Sequence, residues 1–108
     1  MVSKKLLDNS EAAAEFLTLI SNEKRLEILA LLLHGEMTVG SIADRISLSQ
    51  SALSQHLARL REQGLIAFRR EAQTLHYHIA DARAGQVLEL LRDIFCPELV
   101  AVEKSRTG

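Results

Sequence analysis

The chain has no tryptophan, one tyrosine and three phenylalanines in 108 residues. It therefore lacks the row of rings on which proteins stack single-stranded bases. A single cysteine, Cys96, excludes an intrachain disulfide and a cysteine cluster for metal. The one proline, Pro97, marks the end of the last helix or a kink into the tail. No apolar run approaches the length of a membrane span, and Met1 to Asp8 lacks the apolar region of a signal peptide, so the protein is expected in the cytoplasm. There is no glycine-rich phosphate loop, and the serines and histidines have no acid–base set beside them. An enzyme would need one or the other. A formal net charge of −1 gives no global mark of a nucleic-acid partner.

What is present is apolar helix. Hydrophobic residues make up 47% of the chain, much of it Leu, Ile and Ala at helical spacing, which predicts a mainly helical protein. The length fits one domain, with a core small enough to gain from a partner that covers more apolar surface. Charge is uneven. Between Arg45 and Arg70 lie Arg45, Arg59, Arg61, Arg69 and Arg70 against one acid, Glu62, so this segment carries +4 and the remainder −5. A local cationic face of this kind meets phosphates.

Residues 1–9 are expected to be frayed, 10–97 to form the folded unit and 98–108 a C-terminal tail. Ser10 reads as the N-cap of a first helix through Ala13, Phe16, Leu17 and Ile20. A second, densely apolar helix follows Ser21 or Asn22 and stops at His34-Gly35, with Gly35 in the C-cap position. Thr38 caps a third, short helix over Val39 to Ile46. The turn Ser47-Leu48-Ser49 leads into a fourth, over residues 50 to 63, with Ser49 as N-cap and Gly64 as C-cap. At 100° per residue, Leu53, Leu57 and Leu60 form its buried stripe. Ser51, Gln55, Ala58 and Glu62 point away, flanked by Ser54 and Arg59. Ser and Gln can hydrogen-bond base edges, and a small residue such as Ala58 allows close approach.

Two short helices joined by about three residues, the second with a polar outer face, match a helix-turn-helix. An ordinary helical hairpin fits that pattern equally well. The stretch after Gly64 favours the helix-turn-helix. Leu65 to Arg70 and Thr74 to Ile79 are extended runs around Glu71-Ala72-Gln73, with Leu75, Tyr77 and Ile79 alternating against Thr74, His76 and His78. They predict a hairpin packed on the helices, its turn and Arg69 and Arg70 projecting beside the fourth helix. Asp81 caps a last helix through Val87, Leu88, Leu91, Ile94 and Phe95. The expected fold is a winged helix-turn-helix of order α-α-α-α-β-β-α.

The segments Asn22-Glu23-Lys24-Arg25-Leu26, Leu48 to Leu57, Leu60-Arg61, Gly64-Leu65 and Arg69-Arg70 with Tyr77 resemble the ArsR family of winged-helix transcriptional regulators over roughly Phe16 to Pro97. Within it, Leu48 to Leu57 and Arg69 to Thr74 are most similar to the nodulation-regulator and sulfide-responsive branches. The resemblance implies a homodimer through the first and last helices that binds an imperfect palindrome in double-stranded promoter DNA and represses transcription. The residues expected at DNA are Thr38, Ser49, Gln50, Ser51, Ser54, Gln55, Arg59, Arg69, Arg70, Gln73 and Thr74. Those expected at the dimer interface are Phe16, Leu17, Ile20, Leu88, Leu91 and Phe95. Many relatives bind metal through cysteines in the second helix, but Ile28-Leu29-Ala30-Leu31-Leu32 offers no ligand there. Others use Asp and His on the last helix, which here has no His, so neither metal nor another cofactor is expected. Sulfide-responsive relatives need two cysteines. Cys96 matches the second, while Ala30 stands in place of the first.

Three sharper readings have plain competitors. His76 and His78 share one face of a strand, which suits a metal, but without a third ligand they read as solvent- or DNA-facing imidazoles. His56 reads as a packed, hydrogen-bonded residue. Cys96 reads first as a buried thiol and second as a redox switch, which would make the protein a thiol-responsive repressor. A winged helix used for protein contacts would instead show an apolar outer face on residues 50 to 63, against the observed Ser51, Ser54 and Gln55.

Overall fold

The computed structural model describes residues 4–96. Its elements, in chain order, are α1 (Lys4–Asp8), α2 (Ser10–Ile20), α3 (Glu23–Leu32), β1 (Met37–Thr38), α4 (Val39–Arg45), α5 (Gln50–Glu62), β2 (Ile66–Glu71), β3 (Thr74–Ile79) and α6 (Ala82–Phe95). The expected winged helix-turn-helix is present, with two additions. Residues 4–8, expected to be frayed, form the helix α1, and β1 makes the hairpin a three-stranded antiparallel sheet of order β1-β3-β2. Met37 pairs with Tyr77 and Thr38 with His76, so the wing is tied to the chain just ahead of α4. Pro97 and the tail from 98 lie outside the described residues.

Capping sets most of the boundaries. The Thr38 hydroxyl accepts from Ser41 N at 3.2 Å, the Asn22 side chain from Arg25 N at 3.0 Å, and the Ser49 hydroxyl from Ala52 N at 3.1 Å. Each satisfies an amide that the first helical turn leaves open. α2 departs from expectation: its N-cap is Asn9, not Ser10, and Asn9 makes no side-chain capping bond. α5 ends at Gly64, whose φ of +78° is open to glycine at no steric cost. Gly64 N donates to Arg61 O and Leu65 N to Leu60 O, each at 3.0 Å, the paired bonds of a Schellman motif.

The core is built from Ile28 and Leu29 of α3, Ile42 of α4, Leu53, Leu57 and Leu60 of α5, and Leu65 and Ile66 at the wing's base. α2 adds Phe16 and Ile20; α6 adds Ala84 and Leu88; β3 adds Tyr77. This corrects one expectation: Phe16, Ile20 and Leu88 are 9%, 3% and 5% exposed, consumed inside the protomer and not left for a partner.

α6 starts on a charged cap. Asp81 accepts from Arg83 N at 2.9 Å, and its other oxygen takes the Arg83 guanidinium at 2.7 Å. That guanidinium holds the Asp81 carboxyl below the ordinary carboxylate range. A lowered folded pKa means the stabilisation is complete above the unfolded value of about 4 and is lost as pH falls through the folded value. Asp81→Ala is therefore expected to cost about 1 kcal/mol at neutral pH. Urea unfolding along a series of falling pH checks this, the native–variant gap narrowing as the medium becomes more acid.

Candidate nucleic-acid interface

The interface is built outward from the stripe Leu53, Leu57 and Leu60, which is fully or almost fully buried and fixes the rotation of α5. With that stripe inward, Gln50, Ser51, Ser54, Gln55, Ala58 and Arg59 are exposed. α4 and α5 are joined by Ile46 to Ser49, where Leu48 N donates to Ile46 O at 3.0 Å. The outward N-terminal half of α5 carries hydroxyls and amides on short side chains, able to enter a groove and donate or accept there. Thr38 and Ser49, expected in the same set, are occupied as caps. Thr38 Oγ1 also donates to Ser41 Oγ at 3.1 Å, and Ser49 Oγ lies 3.4 Å from Ser51 Oγ.

The wing separates two neighbouring arginines by strand parity. β2 and β3 pair from Ile66↔Ile79 to Glu71↔Thr74, and alternate residues face opposite sides of the sheet. Arg70 shares a face with Phe68 and Leu75. It is exposed, and no ion pair or hydrogen bond holds it among the described residues. Arg69 shares the other face with His76 and His78. Its Nε donates to Glu36 Oε1 at 2.8 Å and its Nη1 to Glu71 Oε2 at 3.0 Å. These two bonds, Glu36 first, raise its pKa and leave its charge compensated. In the free protein the Arg69 guanidinium, half exposed, braces the wing against the chain ahead of β1. Gln73 and Thr74 lie exposed at the hairpin tip, where Ala72 takes a φ of +56°.

Arg61 makes a contact with the wing that was not foreseen. Its guanidinium lies 4.9 Å over the Phe68 ring, and Phe68 meets Tyr77 edge-on at 5.6 Å, so the C-terminal half of α5 is latched to the wing. Phe68 lies seven positions after Arg61 with a helix end between them, and no sequence periodicity marks such a pair.

His76 Nε2 lies 3.5 Å from Glu71 and His78 Nδ1 3.7 Å from Glu36. Among the described residues, no group of three or more His, Cys, Asp or Glu is arranged to hold a metal ion. His56 is half-buried but, contrary to expectation, has no hydrogen-bond partner there. Cys96 corrects another preference: its thiol is exposed, not buried. Cys96 and Ala30 line the same apolar hollow of about 620 Å³ between α3 and α6.

The remaining interface expectations divide. Leu17 and Phe95 are exposed, at 53% and 76%, whereas Leu91 is half-buried. Leu6, Leu7, Leu90 and Ile94 are also more than half exposed, so α1, α2 and α6 together present apolar side chains to solvent. No helix among the described residues is long and apolar enough to cross a membrane.

This geometry has close counterparts. The model of the arsR family of bacterial regulatory proteins matches residues 22–67, from the cap of α3 into β2. The transcriptional activator HlyU of Vibrio cholerae is 47% identical over 88 residues, 82% of each chain. The nodulation protein NolR of Rhizobium meliloti is 45% identical over 97 residues, covering 90% of this chain and 80% of that one. The crystal structure of the transcriptional repressor BigR from Xylella fastidiosa superposes with a TM-score of 0.81 at 32% identity, covering 89% of this chain and 98% of that one. The chain belongs to the ArsR family and is a DNA-binding transcriptional regulator, not an enzyme.

Proposed function

We propose that the protein is a repressor that binds a palindromic operator as a homodimer in the cytoplasm, with α5 reading the major groove and the wing tip on the flanking backbone. The observation that carries this reading is the outward face of α5. Its side chains are exposed, small and amide-bearing over a stripe that permits no other rotation. An apolar outer face would have favoured a protein partner. Repression is supported by the likeness to BigR, whose name is that of a repressor, while HlyU is named an activator. Binding-site selection followed by transcription from the selected promoter tests the sign of the effect.

The exposed apolar residues on α1, α2 and α6 support a dimer, because a chain of this size gains by covering them. Two-fold symmetry then sets the reading helices about 34 Å apart, one turn of DNA. Phe95→Asp combined with Leu17→Glu is expected to give a folded monomer by sedimentation at micromolar concentration. Its affinity for a two-half-site duplex should fall to that for a single half-site.

Gln55 and Arg70 should fail differently. Gln55 can form paired hydrogen bonds with adenine, so Gln55→Ala is expected to relax preference at one base position by about 1 to 3 kcal/mol. Arg70 can meet phosphate, a contact nearly blind to sequence. Arg70→Ala should weaken operator and scrambled duplexes alike and lower the salt slope by about one per protomer. Titrations of both duplexes at several salt concentrations separate the two effects. If Gln55→Ala keeps discrimination while Arg70→Ala loses it, α5 is not the reading element.

The exposure of Cys96 favours a second reading, in which oxidants or persulfides act on operator binding through this thiol. Cys96→Ser should then abolish the response of operator affinity to hydrogen peroxide or polysulfide. Equal responses of the two proteins remove the reading.

A further inference from the structure

Beside the outward face of α5, on the flank away from the wing, is a cleft of about 360 Å³ between α5 and the first turn of α3, lined in part by Gln55. Arg25 of α3 and His56 and Arg59 of α5 line it, and Ala52 and Ala58 leave it open. Arg25 Nη1 donates to Leu19 O at 2.9 Å, which fixes the guanidinium. Its Nε is shut off from solvent and has no partner. No carboxylate pairs with Arg25 or Arg59 among the described residues. Glu62 lines the cleft but offsets only one of the two guanidinium charges, so the cleft stays positive. A half-buried guanidinium beside a second, exposed and unpaired one favours an anion in the cleft.

The position of the cleft identifies the anion. Successive helical residues are about 100° apart, so Arg59 and Arg61 point about 160° from each other around α5. Arg61 lies over Phe68 of the wing, and Arg59 lines the cleft. A helix about 10 to 12 Å across, seated in a major groove about 12 Å wide, has a row of phosphates along each flank. The wing stands over one row. We propose that Arg25, with Arg59 and His56, grips a backbone phosphate of the other row, so that each protomer holds the groove from both sides. This rests on the reading of α5 as the groove helix and adds a contact to it. An imidazole N–H and the exposed guanidinium of Arg59 supply donors beside the Arg25 charge, and the Leu19 carbonyl keeps Arg25 in place before DNA arrives, lowering the ordering cost of the contact.

The test uses a duplex selected by the native protein from random sequence, remade with single uncharged methylphosphonate linkages walked along both strands. For the native protein, one linkage on the row opposite the wing should lower affinity about fivefold to tenfold. Arg25→Gln should weaken the all-phosphate duplex by a similar factor, show no further loss at that linkage, and reduce the salt slope by about one. Arg25→Lys, which keeps the charge, should retain part of the sensitivity. Because Arg25 also bonds Leu19 O, Arg59→Gln is carried in parallel. If Arg25→Gln unfolds, loss of sensitivity at the same linkage in Arg59→Gln decides for the proposal, and native sensitivity in Arg59→Gln decides against it. The proposal is overturned if folded Arg25→Gln responds to every linkage as the native protein does. It is also overturned if inorganic phosphate raises the melting temperature of the native protein but not of Arg25→Gln while no linkage on that row matters, which would make the cleft a free-anion site. A native protein that selects no duplex would refute the groove-helix reading itself, a result distinct from native binding with an indifferent Arg25.

Discussion

The rotation of α5 about its own axis is the constraint on which the rest depends, and three leucines set it. Burying Leu53, Leu57 and Leu60 is worth roughly 1.5 to 3 kcal/mol each, whereas burying Gln55 without a partner costs energy. A turn of one residue's arc would bring Leu53 toward solvent and push His56 or Arg59 toward the core. The stripe therefore decides which side chains of α5 face outward, although the leucines themselves are buried. Ala52 and Ala58, placed by the same rotation, keep the flank toward α3 open and let Arg25 share a surface with the reading helix.

Charge is distributed by an equally simple rule. Arg69 and Arg70 are adjacent in sequence, but strand alternation sends them to opposite faces. The outer face already holds Glu36 and Glu71, so Arg69 is spent on bracing and Arg70 is left to solvent. Part of the segment charge of +4 is thus compensated within the free protein. The structure returns part of that charge through Arg25, which lies outside the segment in sequence and beside it in space.

Where one residue's chemistry dictates a boundary, the chain was readable: the caps Thr38, Ser49 and Asp81, the left-handed Gly64 and the leucine stripe all stand where their types require. Periodicity also marked Phe16, Ile20 and Leu88 as buried, but it cannot say whether the same chain or a partner buries them. Leu17 and Phe95 were separable from them only in three dimensions. β1 has two residues, too few for an alternation to show, and its pairing with Tyr77 and His76 is non-local. The ion-pair partner of Arg69 and the cleft that Arg25 shares with α5 were hidden for the same reason. Glu36 lies 33 positions before Arg69, and His56 lies far along the chain from Arg25, so no local pattern records either meeting.

Leu65 joins the elements that these surfaces require. Its N–H closes the C-terminus of α5 on Leu60 O at 3.0 Å. Its carbonyl accepts from Ala80 N at 2.9 Å and Asp81 N at 3.3 Å, at the end of the wing and the cap of α6. The side chain is fully buried, so the residue cannot swing outward to absorb strain. A shift at the start of α6 must break one of these bonds or carry the C-terminal end of α5 with it. α6 also presents Leu90, Ile94 and Phe95 to solvent, so whatever covers those side chains acts on a helix bonded through one residue to α5, the proposed reading element. The separation between two such elements in a dimer is then set by packing on α6, while their rotation is set independently by the leucine stripe. That division would let spacing change without disturbing which side chains of α5 face outward.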